Sequence, residues 1–118
     1  MLLRVSLILI IIGIAYLSLT PTDTITIGND KISHFIAYGA LMTNIGMITY
    51  EKRYRFLWGI ILALLYGALI EVGQHFVPGR FMSGMDMLAN AGGVILGALI
   101  TIFAYKPVRK LLSKTRII

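Results

Sequence analysis

The chain of 118 residues contains no cysteine, which excludes disulfide bonds, thiol catalysis and metal sites built on cysteine. Charged residues are scarce, at 14% of the chain, and only five residues are acidic. Hydrophobic residues instead make up 58% of the sequence, and its mean hydropathy is +0.85. A water-soluble fold of this length could not bury so much apolar surface, so the composition predicts a membrane protein.

The apolar residues fall in four continuous runs, each about as long as the 20 or so helical residues that cross a hydrocarbon layer. The runs cover residues 2–19, 32–50, 56–77 and 82–105. They show no alternation with a period of two, which argues against a β-barrel. The sequence therefore predicts an all-α membrane protein, a single domain over residues 1–118 with four transmembrane helices in a compact bundle.

The first run also resembles the apolar part of a signal peptide, with Arg4 in front of it. No small-x-small cleavage site precedes Thr20, and Pro21 would lie at the cut. A retained membrane anchor is therefore the preferred interpretation.

The basic residues are distributed unevenly along the chain. All of them except Lys31 and Arg80 lie at the N-terminus, at residues 52–55, or after residue 105. Because basic loops stay in the cytoplasm, both termini are predicted to be cytoplasmic, with the two other loops outside. This topology accounts for the net charge of +6 without a nucleic-acid partner.

The last residues, 106–118, form a short basic stretch that also contains leucine and isoleucine. Pro107 is predicted to separate this cytoplasmic tail from the fourth helix, because proline lacks the N–H that a continuing helix uses. The tail is expected to lie on anionic lipid of the inner leaflet.

Polar residues interrupt the outer ends of the last three helices, where such groups are costly in lipid and usually functional. Residues four apart share a helical face, which groups Asp30 with His34 and Tyr38, Glu71 with His75, and Asp86 with Asn90. A rise of about 1.5 Å per residue places these groups in one layer, predicting an outward-facing polar pocket between the three helices. Gly93 and Gly97 continue the last of these faces and predict close helix packing.

Two segments resemble a known family: DKISHFIAYGAL from residue 30 and EVGQHFVPGRFMSGMDMLANAGGVILG from residue 71. The ordered pattern is similar to that of the VanZ-like family of small bacterial membrane proteins, over about residues 21–100. The resemblance implies a four-helix, multi-pass protein of the cell envelope, in the bacterial cytoplasmic (inner) membrane. The family takes its name from a member associated with resistance to the glycopeptide antibiotic teicoplanin, and the resemblance implies no defined biochemical activity.

The predicted pocket suits a ligand headgroup. Arg80 and Lys31 are the two cations predicted to face outward, and a guanidinium fork fits phosphate or carboxylate. The acidic and amide side chains would orient these cations or accept hydrogen bonds from sugar or amine groups. The expected ligand is an envelope lipid or a lipid-linked cell-wall precursor. The predicted ligand-binding residues are Asp30, Lys31, His34, Tyr38, Glu71, Gln74, Arg80, Asp86 and Asn90.

Catalysis at the same place is an alternative, with His34, Glu71, Arg80 and Asp86 as candidates. His34 or Glu71 would act as general base, and Arg80 would stabilise negative charge on a phosphoryl or acyl group. No complete nucleophile signature accompanies them, since Ser83 lies in no G-x-S-x-G turn. Whether the protein is an enzyme therefore stays open.

Two pairs have the spacing of metal ligands on one helical face, Asp30 with His34 and Glu71 with His75. A hydrogen bond between histidine and carboxylate explains each pair more simply. The sequence therefore predicts neither a metal site nor a cofactor.

A purely structural role is the alternative from another class. Ion pairs such as Glu71 with Arg80, or Asp86 with Lys31, would hold three helices in register. The number of converging polar groups exceeds what packing requires, which favours a binding site. A channel is disfavoured because the cytoplasmic halves of the helices are apolar, although a homo-oligomer could build a path that one chain lacks.

Overall fold

The computed structural model of the chain describes residues 2–20, 27–78 and 84–114, with residues 27–30 described by their backbone alone. These residues form four helices: α1 (Leu2–Leu19), α2 (Ile27–Thr49), α3 (Arg53–Gln74) and α4 (Gly84–Lys114). The described part of the chain contains no β-strand, so the all-α prediction is confirmed. The longest dimension is 46 Å, close to the roughly 40–45 Å of a bilayer with its headgroup regions.

The ends of the helices follow local chemistry. α1 ends just before Thr20 and Pro21, because the residue before a proline disfavours the helical conformation. Between α2 and α3, Lys52 is extended (φ −114°, ψ 108°), which reverses the chain in a short turn. α3 ends at Gln74, whose carbonyl accepts a hydrogen bond from the Val77 N–H at 3.1 Å in the turn that follows.

The structure of α4 shows that the predicted break at Pro107 is wrong. The helix continues through Pro107 to Lys114, so residues 106–114 extend α4 and do not form a separate tail. Proline at this position removes a single helical hydrogen bond, and transmembrane helices tolerate such a loss where neighbouring groups compensate. The residues that follow, mainly arginine, lysine and leucine, favour helix and carry it onward.

The four predicted spans are not equivalent. Among the described helices, α1, α3 and α4 are long and apolar enough to cross a membrane, whereas α2 is not. α2 packs against all three other helices, most extensively against α4. A helix at the centre of a bundle faces protein more than lipid, and this position allows the more polar composition of α2. The outer faces of the other helices expose large apolar residues such as Leu9 on α1, Leu69 on α3 and Phe103 on α4.

α2 and α4 approach each other through glycines. A Cβ atom built on Gly97 would lie 2.6 Å from the carbonyl oxygen of Gly39 and 2.8 Å from Cβ of Met42, closer than Cβ atoms pack in proteins. A Cβ on Gly93 would collide with the carbonyl oxygen of Phe35. The predicted close packing at Gly93 and Gly97 is therefore confirmed, and the partner is α2.

α1 lies at the edge of the bundle. Ile14 is its one buried residue, and within the described chain α1 contacts α2 and α3 but not α4. The hydrogen bonds that attach it include Asn44 Nδ2 to Ser6 Oγ (2.6 Å), Tyr66 OH to the Ile11 carbonyl (2.6 Å) and Gln74 Nε2 to the Ser18 carbonyl (3.0 Å). α2, α3 and α4 thus form the core, and α1 is added to it along one side.

The end of the bundle that carries the basic residues is closed by aromatic packing. Tyr50 packs edge-on against Phe56, with ring centroids 5.4 Å apart, and lies 4.7 Å from Tyr105. The Tyr105 hydroxyl donates a hydrogen bond to Glu51 Oε1 at 2.7 Å. These contacts join the turn between α2 and α3 to α4.

Candidate functional site

At the opposite end of the bundle, α2, α3 and α4 each contribute one buried ionisable side chain. His34 is 6% exposed, Glu71 0% and Asp86 7%. One potential ligand atom from each residue lies within 4.8 Å of the other two. Together with Asn90, which hydrogen-bonds to His34, these residues are called the polar cluster below.

The helix geometry explains why these residues meet. His34 and Tyr38 are four residues apart on the buried face of α2, and Asp86 and Asn90 are four apart on the buried face of α4. Glu71 is likewise buried on the inner face of α3. The glycine contacts between α2 and α4 fix the position of one helix along the axis of the other. This places the polar residues of the two helices at the same depth in the bundle.

Asn90 fixes the orientation of the His34 ring. His34 Nδ1 lies 2.7 Å from Asn90 Oδ1. An amide oxygen only accepts hydrogen bonds, so Nδ1 is the protonated nitrogen in this pair. Asn90 Nδ2 in turn donates a long hydrogen bond of 3.5 Å to the carbonyl of Gly67 on α3. In the neutral ring the lone pair therefore lies on Nε2.

Tyr38 and Gly67 form the floor of the polar cluster. The Tyr38 ring stacks parallel to the His34 ring, with centroids 6.4 Å apart. Its hydroxyl is buried and has no hydrogen-bond partner among the described residues. A Cβ on Gly67 would lie 3.2 Å from Tyr38 Cε1 and 3.3 Å from Asn90 Cβ, so glycine makes room for both side chains.

Other predicted site residues lie elsewhere. Gln74 is buried, but its amide donates to the Ser18 carbonyl and so ties α3 to α1. Lys31 is exposed on α2, three residues before the buried His34. The side chain of Asp30 and all of Arg80 lie outside the described residues, so their roles stay predictions.

His75 does not join Glu71 as the spacing of four suggested. It forms the C-cap of α3 and is exposed, whereas Glu71 is fully buried. Its ring packs edge-on against Phe76, with centroids 5.3 Å apart. The pairing of Glu71 with His75 that the sequence suggested is therefore not part of the polar cluster.

Two hydrogen bonds of predicted site residues were missed because their acceptors are backbone carbonyls. Gly67 has no side chain, and Ser18 accepts through its backbone carbonyl and not through its hydroxyl, so neither side chain marks the contact with Asn90 or Gln74. Gly67 does carry one signal, because it lies four residues before Glu71 and so shares its helical face. A glycine at that place indicates that a bulky neighbour comes close.

The polar cluster combines two carboxylates with an imidazole in a site that is almost closed to water. Such groups accept hydrogen bonds from amines and hydroxyls, exchange protons and bind cations. Burial lowers the local dielectric constant, which strengthens each of these electrostatic interactions relative to the protein surface. The arrangement therefore favours a polar or cationic ligand group over an apolar one.

Two apolar cavities border the described helices. One of about 540 Å³ lies between α1, α2 and α4 and begins at Phe35 and Ile36, the two residues after His34. Another of about 500 Å³ lies between α1, α2 and α3, with Arg55 and Trp58 near its basic end. Both are lined mainly by apolar side chains.

Comparison with known proteins identifies a family and nothing closer. Neither the curated proteins nor the solved structures gave a match. The VanZ/LLP1 family model matches residues 5–105, a range that contains all of α2 and α3 and every residue of the polar cluster. The match confirms the resemblance found in the sequence, and the chain belongs to the VanZ/LLP1 family.

Proposed function

We propose that this VanZ/LLP1-family protein binds the headgroup of an envelope lipid or of a lipid-linked cell-wall precursor at the outer face of the cytoplasmic membrane. The observation that carries the proposal is the convergence of His34, Glu71 and Asp86 from three helices at one buried point. α2 and α4 already pack through glycines, so their association does not require these groups. Buried ionisable residues in membrane proteins usually mark a functional site.

The chemistry of the polar cluster suggests which parts of a headgroup it would contact. Glu71 and Asp86 suit the amine or hydroxyl groups of an ethanolamine, sugar or peptide moiety. Arg80 is proposed to bind the phosphate, since its guanidinium offers two parallel donors. The apolar groove that begins at Phe35 would hold an acyl or polyprenyl chain. An amphiphile fits this combination better than a soluble ligand does.

We also propose that all four helices cross the membrane, with both termini in the cytoplasm. The asymmetry of the basic residues supports this topology. The single-cysteine variants Thr22→Cys and Lys52→Cys test this topology. The chain has no cysteine of its own, so any labelling comes from the introduced residue. In intact cells a membrane-impermeant maleimide is expected to label Thr22→Cys and to spare Lys52→Cys until the membrane is permeabilised. Labelling of Lys52→Cys in intact cells would contradict the topology.

The competing function is structural, and one observation favours it. His34 and Asn90 form a hydrogen bond between α2 and α4, which is what a pure helix contact would do. On this alternative the polar cluster only joins helices, and the chain serves as an accessory subunit. The two functions differ in whether an isosteric change that preserves packing abolishes ligand binding.

The test is the identity of lipids that copurify with the protein in mild detergent, measured by mass spectrometry. We expect a specific phospholipid or polyprenyl-linked species with the wild type, reduced about 10- to 100-fold in Glu71→Gln and Arg80→Ala, as for loss of a charge-assisted hydrogen bond. Matched controls are Glu51→Gln and Arg53→Ala, which lie at the other end of the bundle and should retain the species.

The outcomes separate the two functions. Bulk lipid alone, unchanged in all variants, would contradict headgroup binding. Loss of folding in Glu71→Gln, measured by gel filtration and thermal unfolding, would favour the structural role. A folded Glu71→Gln protein that has lost its lipid supports the proposal and gives the ligand for an activity assay with His34 or Glu71 as general base.

Two further parts of the proposal concern cellular context. The basic end of α4, from Lys106 to Lys114, is proposed to contact anionic lipid of the inner leaflet. A role in teicoplanin resistance is proposed on family membership alone. It is tested by the drug sensitivity of a host that expresses the wild type or Glu71→Gln.

A further inference from the structure

We propose that the polar cluster is a binding site for a divalent transition-metal ion, Zn²⁺ or Mn²⁺, with His34, Glu71 and Asp86 as ligands. The sequence predicted no metal, because a hydrogen bond between histidine and carboxylate explained each single-helix pair more simply. The structure assembles a different set, with one ligand from each of α2, α3 and α4. Metal sites in helical bundles are built in this way, from inward side chains of facing helices.

The donor set fits such an ion. Imidazole is a ligand of Zn²⁺ and carboxylates are ligands of Zn²⁺ and Mn²⁺, and three protein ligands are typical of a site with an open position. Ligand atoms on a common tetrahedral ion lie about 3.3 Å apart, given bonds of about 2.0 Å. The present separations of up to 4.8 Å would therefore have to shorten by at most about 1.5 Å for the three ligands to hold one ion.

The orientation of His34 is the second observation that points to a metal. Ligating histidines nearly always donate their other ring N–H to a carbonyl or carboxylate, which fixes the tautomer. His34 Nδ1 makes this bond to Asn90 Oδ1, at 2.7 Å, and Asn90 is itself positioned by the Gly67 carbonyl. The nitrogen left with a lone pair is Nε2, the atom that would bind the ion. Asn90 is thus a positioning residue for the metal.

The charges are also balanced. As metal ligands, two carboxylates and one imidazole would together carry two negative charges, which a divalent ion would neutralise inside a buried site. Burial of all three residues keeps water from competing for the ion. The open coordination position would accept water or a phosphate oxygen of a headgroup, in which case the ion, and not Glu71 and Asp86 directly, would contact the headgroup. Metal binding does not depend on headgroup binding.

The test is metal content and affinity of the purified full chain in detergent, after treatment with a chelator and addition of Zn²⁺ or Mn²⁺. The wild type is expected to bind one ion per chain. Glu71→Gln and Asp86→Asn, which keep the side-chain shape, are expected to weaken binding at least 100-fold. His75→Ala is the matched control: its histidine is exposed and near the same end of α3, and its removal should leave affinity unchanged.

Replacing Zn²⁺ with Co²⁺ gives a readout that folding stability does not move. The visible absorption of bound Co²⁺ should indicate nitrogen and oxygen ligands, and it should disappear in a folded His34→Ala protein. Failure of the folded wild type to bind any of the three ions would overturn the proposal, as would undiminished binding by Glu71→Gln. Because no lipid is added, these results are independent of the lipid experiment above.

Discussion

Gly93→Ala is expected to lower the free energy of unfolding by about 3 kcal/mol, the upper part of the usual range for overpacking. The added methyl group would collide with the carbonyl oxygen of Phe35 and lie 3.0 Å from the backbone nitrogen of Gly39. Both obstacles are backbone atoms of α2, so no side-chain rotation relieves the contact. α2 and α4 would have to move apart, and the polar cluster would separate with them.

Gly13→Ala is the matched control, because nothing lies within 4 Å of a Cβ at Gly13 on α1. There the higher helix propensity of alanine is expected to leave stability unchanged or raise it by up to about 1 kcal/mol. Unfolding in mixed detergent, followed by circular dichroism or tryptophan fluorescence from Trp58, measures both variants. If Gly93→Ala were as stable as Gly13→Ala, the close approach of α2 and α4 would be wrong.

Asn90→Leu is expected to have the next largest effect, with two separate readouts. Leucine has a similar volume but leaves the Nδ1–H of buried His34 without its acceptor, which costs about 2 kcal/mol. The same change frees the His34 ring to rotate, and loss of a group that orients a ligand typically lowers metal affinity about 10- to 100-fold. Thermal unfolding in the presence of chelator and Zn²⁺ titration measure the two effects independently.

Asn44→Leu provides the comparison at a second asparagine. Asn44 donates to Ser6 on α1, and its Oδ1 has no hydrogen-bond partner among the described residues. Ser6 keeps its own hydrogen bond to the Leu3 carbonyl after the change, so the expected cost is about 1 kcal/mol or less. Metal affinity should not change. Equal behaviour of the two leucine variants would show that Asn90 has no special role at the site.

The sequence predicts the helices better than their ends and environments. The first apolar run coincides with α1, since hydropathy and Pro21 define both of its limits. The continuation of α4 past Pro107 could not be read from the sequence, because a proline both ends helices and is tolerated within them. The central position of α2 depends on which helix packs where, and hydropathy along the chain carries no such information.

The site was predictable within each helix but not between helices. A spacing of four residues correctly grouped His34 with Tyr38 and Asp86 with Asn90 on buried faces. The same rule failed for His75, because α3 ends before it and the side chain turns outward. The contact of His34 with Asn90 depends on the height at which α2 meets α4, and this is set by glycines whose partners the sequence does not name.

The His34 and Asn90 bond also has a consequence for biosynthesis. The two residues are 56 positions apart, and a ribosome that adds about 5–20 residues per second needs roughly 3–11 s to make the second after the first. During that interval α2, the one described helix too polar to qualify as a span by itself, has emerged without its main partner α4. If α2 crosses the membrane as proposed above, its stable insertion is expected to wait for α4, the helix against which it packs most extensively.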